Sequence, residues 1–113
     1  RMQMCIAATG GIDAVISAMN AHTHTVPIQE HGCTALAHLS AESSQLRSQC
    51  GELGVEAVGN SMAEHPSQLG VQEAGCAALA NLTRRSPENR KLAEEVVYLI
   101  VMAMKRHQDE FGV

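Results

Sequence analysis

Six histidines and four cysteines stand in a chain of 113 residues, and both side chains can bind zinc. A zinc site needs its ligands within about 2.3 Å of one point, usually from C-x2-4-C or H-x3-5-H spacing. Neither spacing occurs: His22 and His24 are two apart, and Cys5, Cys33, Cys50 and Cys76 are scattered. One regularity remains. His22, His65 and His107 each follow a methionine by three positions, Met19, Met62 and Met104. If each belongs to one stacked helical unit, successive histidines sit roughly 10 Å apart, about one helix-packing distance, and cannot share an ion. A histidine at a helix C-terminus, where the macrodipole favours it, is the simpler reading. Gly10-Gly11 and Gly51-Glu52-Leu53-Gly54 read as inter-helix turns, because no Lys-Ser/Thr follows to make a phosphate loop. Serines, histidines and aspartates are present without a spacing that links nucleophile, base and orienter. The residues predict no catalysis, no metal and no cofactor.

The histidine spacing belongs to a longer recurrence. Gln29-Glu30-His31-Gly32-Cys33-Thr34-Ala35-Leu36-Ala37-His38-Leu39 falls on Gln72-Glu73-Ala74-Gly75-Cys76-Ala77-Ala78-Leu79-Ala80-Asn81-Leu82, a shift of 43. Gly11, Ile12, Val15, Met19 and His22 fall on Gly54, Val55, Val58, Met62 and His65 at the same shift. Val97, Ile100, Met104 and His107 begin a third copy, displaced by 42. Repeats of 20 to 50 residues point to a solenoid, in which each unit buries its apolar face against its neighbours.

Each unit reads as three helices. Ile12, Val15, Ile16 and Met19, then Val55, Val58 and Met62, then Val97, Ile100, Val101 and Met104 form stripes at helical spacing, giving a middle helix. Gly11 and Gly54 precede two of these stripes and permit a tight turn. A long helix follows, over 27–41 and 68–84, set off by Pro27 and by His65-Pro66-Ser67. Its apolar face in the second copy is Val71, Gly75, Ala78, Leu79 and Leu82. Cys33 and Cys76 share one position among small residues and read as core packing. Ser86-Pro87-Glu88 is a strong helix start, opening a short helix over 87–95; 44–50 is its counterpart. The run from Val96 to Met102 has strand propensity, but its register against the repeat makes it helix. The units are repeat 1 at 10–51, repeat 2 at 52–95 and a partial repeat 3 at 96–113, with 1–9 as the end of a preceding unit.

Composition narrows the partners. Twelve acidic residues against eight basic give a net charge of −4, which disfavours phosphate neutralisation. Tyr98 and Phe111 are the aromatics, too few to stack bases. No stretch approaches the ~20 apolar residues of a membrane span, and Arg1 to Ile6 does not read as a signal peptide. Scattered cysteines then read as thiols of an intracellular, cytoplasmic protein.

Gly10-Gly11-Ile12-Asp13-Ala14-Val15, Val71-Gln72-Glu73, Ala78-Leu79-Ala80-Asn81-Leu82 and Pro87-Glu88-Asn89-Arg90 together resemble the armadillo repeat over nearly the whole chain. HEAT repeats are the close alternative; the separate short helix and the Asn-Leu ending favour armadillo. The resemblance implies an all-α, right-handed α-α superhelix of about 2.5 three-helix repeats. It also implies a concave face of long helices that binds an extended peptide or partner protein. Asn81 matches the family's groove asparagine, and His38 stands at that position one copy earlier. Ala77 and Thr34 stand where nuclear-import adaptors of the family carry tryptophan, so nuclear-signal recognition is not expected. Independently, at about 100° per residue, Glu73, Ala77, Asn81 and Arg84 point away from Val71, Ala78 and Leu82. Glu30, Thr34, His38 and Ala41 do the same in the first copy.

The expected function is protein–protein interaction through Glu30, Thr34, His38, Glu73, Ala77, Asn81 and Arg84. A spacer role in a larger protein and a regulatory array attached to an enzyme such as a kinase are the alternatives. The stripe Val97, Ile100, Val101 and Met104 is expected to lack the long helix that covers its counterparts. The chain then reads as an excerpt that self-associates through this stripe, as a homodimer.

Overall fold

Helix termination sets the layout. The computed structural model describes residues 2–42 and 44–111, with side chains at 10–41, 44–102, 105 and 106. Five helices are present: α1 (Met2–Ala21), α2 (Val26–Glu42), α3 (Ser44–Glu64), α4 (Leu69–Thr83) and α5 (Pro87–Phe111). Among the described residues there is no strand.

The stops and starts follow local chemistry. α3 ends at Glu64, just before His65-Pro66, as steric conflict ahead of proline requires. α4 ends with Arg84 as its C-cap and Arg85 at φ 55°, the left-handed conformation that commonly closes a helix. α5 starts on Ser86, whose Oγ accepts the Asn89 backbone N–H at 3.3 Å. Pro87 holds the first helical position and Glu88 adds an acid to the first turn, both favourable at a positive helix end.

Of three expected breaks, two are absent and the one at Gly51 is present. Gly10-Gly11 lies inside the unbroken α1; among the described glycines only Gly51 takes a positive φ. Glycine permits a turn without compelling one. In α3 the break is at Gly51 (φ 42°, ψ −139°), a geometry that side chains other than glycine's disfavour. Gly54 lies on the helical side of it. The expected short helix 87–95 does not end at 95, because α5 has neither glycine nor proline after Pro87. The boundaries anticipated at residues 10 and 96 therefore fall within continuous helices.

The helices form two layers. α1, α3 and α5 lie in one, with α1 against α3 and α3 against α5; α2 and α4 make the other and share the most extensive contact. Between layers, α2 packs on α1 and α3, and α4 on α3 and α5. Among the described residues α1 does not reach α4 or α5, and α2 does not reach α5. The body measures 52 × 28 × 18 Å. One continuous core runs between the layers, from Ile12 and Met19 through Leu36, Val55, Val58 and Val71 to Leu82 and Val96.

Close approach within that core depends on missing side chains. A Cβ on Gly32 would strike the Met19 side chain, and one on Gly75 would strike Met62. Each methionine of a middle helix thus lies against a glycine of the following long helix. Gly59 of α3 faces the branched Val96 of α5 in the same way. Alanine ordinarily stabilises a helix interior by about 1 kcal/mol relative to glycine. Gly59→Ala is expected to do the opposite, costing about 1–3 kcal/mol through overpacking against a stiff neighbour. Thermal unfolding checks this, and adding Val96→Ala is expected to recover much of the loss.

Candidate functional site

The expected site residues lie on α2 and α4, the two helices of one layer. His38, Glu73, Ala77 and Arg84 are exposed, as is Ala41; Glu30, Thr34 and Asn81 are half-buried. The helical spacing therefore places the two sets side by side on neighbouring helices. Their polar groups are partly committed already. Thr34 Oγ1 donates to the Glu30 carbonyl at 2.9 Å, one turn back in its own helix. The Glu30 carboxylate lies over Gly70, where a Cβ would strike it.

Asn81 is the most constrained of them. Its Nδ2 donates to the Ala37 carbonyl of α2 at 2.8 Å. Its Oδ1 accepts from Arg84 Nη2 at 3.0 Å. The side chain ties α4 to α2 while its other end meets an exposed guanidinium. His38, its counterpart on α2, is exposed and free of such a tie among the hydrogen bonds described.

Four residues carry inter-helix ties that the sequence did not suggest: Gln29 and Gln72 marked the register, Asn89 belonged to the family motif, and Arg47 gave no signal. Gln29, buried in α2, donates from Nε2 to the Met19 carbonyl at 3.0 Å and to the His22 carbonyl at 2.8 Å. Gln72 repeats this on the Met62 and His65 carbonyls at 2.9 and 3.0 Å. Arg47 Nη1 reaches back to the Ser40 carbonyl at 3.0 Å, and Asn89 Nδ2 to the Leu82 carbonyl at 2.9 Å. All four reach carbonyls at or just past a helix end, where intrahelical donors run out; the His22 and His65 carbonyls also accept the Thr25 and Gln68 backbone N–H at 3.1 Å. The available signal was the glutamine itself, a long amide recurring ten residues after each methionine among apolar neighbours.

The two glutamines differ at Oε1. That of Gln29 accepts from Ser61 Oγ of α3, a bond across units. That of Gln72 is buried without a partner among the described residues. In register, with Met62 on Met104, the residue at the Ser61 position is Ala103, which has no hydroxyl.

The histidines and cysteines separate by role. His22 and His65 directly follow the ends of α1 and α3, and the His65 Nε2 meets the Thr23 carbonyl at 2.7 Å. His107 falls inside α5, so it does not share the helix-end position, and its side chain lies outside the described residues. Among the described residues no three His, Cys, Asp or Glu converge. Cys33 and Cys50 are buried free thiols, and Cys76 is an exposed one, although it shares the register of Cys33. The difference is what lies on top: α2 lies between its neighbours and α4 has an open flank. Burial pushes the Cys33 and Cys50 thiols up to about 11, with a Ser61 hydrogen bond pulling weakly the other way at Cys33. Of the expected self-association stripe, Val97 and Val101 are exposed, while Ile100 faces the core at 5 % exposure; Met104's side chain lies outside the described residues. Among the described residues of α5, the exposed apolar set is instead Val97, Tyr98, Leu99, Val101 and Met102; Leu53 and Leu69 are exposed elsewhere.

Two outcomes are expected. Gln29→Met destabilises more than Gln72→Met, by about 1–3 kcal/mol, because it also strands Ser61 while the second removes an unpaired acceptor; paired urea titrations decide it. Iodoacetamide on the native chain is expected to alkylate Cys76 well before Cys33 and Cys50, read by peptide mass spectrometry, since the thiolate is the nucleophile. No protein-family model, curated protein or solved structure matches this chain, and among the described residues no helix is long and apolar enough to cross a membrane.

Proposed function

We propose that the chain is an armadillo-type solenoid segment that binds an extended peptide or partner protein on the concave face formed by α2 and α4. The observation that carries this reading is the matched set of side chains on those two helices. His38 on α2 and the Asn81–Arg84 pair on α4 hold the same position one repeat apart, with exposed Glu73 and Ala77 two turns and one turn before Asn81 on α4. An extended strand advances about 3.3 Å per residue, so such a set offers hydrogen-bonding groups every few residues of a bound peptide. The layered packing, in which each helix touches only near neighbours in sequence, supports the solenoid reading. The free thiols Cys33, Cys50 and Cys76 suit an intracellular location. The reading has no catalytic role and needs no cofactor.

Asn81 is a poor single test, since its amide also holds α4 to α2. The informative variant combines the exposed positions, His38→Ala, Glu73→Ala and Arg84→Ala. Random extended peptides displayed on phage are selected against the immobilised chain. The expected result is an enriched motif whose binding falls at least about tenfold in the triple variant at unchanged melting temperature. No enrichment, or enrichment indifferent to the triple change, removes the proposal.

A further inference from the structure

The flank of α4 that faces away from α2 stands open. Together with α5 it forms a groove of about 510 Å³. One wall is Cys76, Leu79, Ala80 and Thr83; the other includes Ala93 and Val97. Arg90 and Glu94 mark its rim.

The same groove occurs once more in the molecule, and there it is filled. Shifted back by 43, the α4 wall becomes Cys33, Leu36, Ala37 and Ser40 on α2. All four are buried, on the helix that shares its largest contact with α4. The α5 wall behaves likewise. Val97 is 46 % exposed, whereas its counterparts Ile12 and Val55 are 1 % and 0 % exposed. Val101 is exposed, whereas its counterparts Ile16 and Gly59 are buried. The position of α4 in the filled groove therefore describes what the open one accepts.

We propose that the α4–α5 groove docks a helix of α4's own kind: short side chains inward and an asparagine near its end. The chemistry is specific. Large inward side chains are excluded, because the filled groove works by glycine against methionine, Gly75 on Met62, and by Ala74 and Ala78 packed in the core. The asparagine has a matching acceptor: the Ala80 carbonyl takes Thr83 Oγ1 at 3.3 Å, just as the Ala37 carbonyl takes Ser40 Oγ at 3.3 Å. Asn81 donates to the Ala37 carbonyl, and the residue one repeat on is Ala80, exposed on the groove wall. This surface is separate from the concave face of α2 and α4, so the two proposals fail independently.

The probe is a fluorescein-labelled synthetic peptide with the sequence of residues 69–85, titrated with the full chain by fluorescence anisotropy. Saturable binding is expected, weakened at least about tenfold by Val97→Glu in the chain or by Gly75→Leu in the peptide. Val97→Glu also separates docking from displacement of α4, because α4 itself rests chiefly on α2 and α3, with Gly75 against Met62. The exposed position allows folding to persist, checked by circular dichroism, and phage-selected peptides for the concave face are expected to bind this variant unchanged. Three results overturn the proposal: no saturation, equal binding of a scrambled peptide, or a chain dimer, seen by sedimentation, that the peptide does not displace.

Discussion

The whole arrangement depends on how a middle helix is allowed to end inside the protein. A helix terminus leaves carbonyls without intrahelical donors, and burying them unpaired costs about 1–3 kcal/mol each. Gln29 and Gln72 resolve this at the Met19 and Met62 carbonyls, and the same amide reaches the His22 or His65 carbonyl just past the helix end, which also takes a backbone N–H. Each glutamine sits near the start of the following long helix, so the bond that satisfies one helix fixes the angle at which the next departs. Gln29 does more, because its oxygen also accepts from Ser61 in the next unit. One buried amide thereby joins α1, α2 and α3. Packing then adds area to a geometry that polar groups have set.

Apolar contacts follow the same logic of fixed register. Met19 against Gly32 and Met62 against Gly75 are matched protrusions and recesses, ten and more residues apart in sequence and repeated at one shift. A helix with a side chain at either glycine could not lie as close. The inter-unit hydrogen bonds, His65 to the Thr23 carbonyl and Asn81 to the Ala37 carbonyl, sit where two copies of the unit meet. They prevent sliding of one unit along the other, which an apolar seam alone would resist only weakly.

Much of this was legible in the sequence, for identifiable reasons. The 43-residue shift preserves helical stripes, so Ile12, Val55, Val71, Ala78 and Leu82 were readable as core, and all are buried. Ser86-Pro87-Glu88 carried its own start signal. The outward direction of Glu73, Ala77 and Arg84 followed from 100° per residue. What escaped was whatever depends on a neighbour. Cys76 reads like Cys33 until the layer above it is considered. Ile100 belongs to an apolar run, but which of its faces turns inward is decided by α3. Asn81 faces away from Val71, Ala78 and Leu82 by register, yet its amide is engaged by a carbonyl 44 positions away. Glycines were the least reliable marks, because the permission given at Gly10-Gly11 is unused and that at Gly51 is used.

Gly51 and its absence in α5 carry a further consequence. Four residues separate Cys50 from Val55, while three separate Ala93 from Val97. In α3 the glycine interrupts the screw of the helix, so the segments before and after it can each choose which way to face. In α5 the screw is unbroken, and every residue inserted or removed would rotate all that follows by about 100°. The shorter spacing keeps Ala93, Val96 and Ile100 on one buried side. The change in repeat length from 43 to 42 is thus a phase correction: where the chain gives up its swivel, it must also give up one residue to keep time.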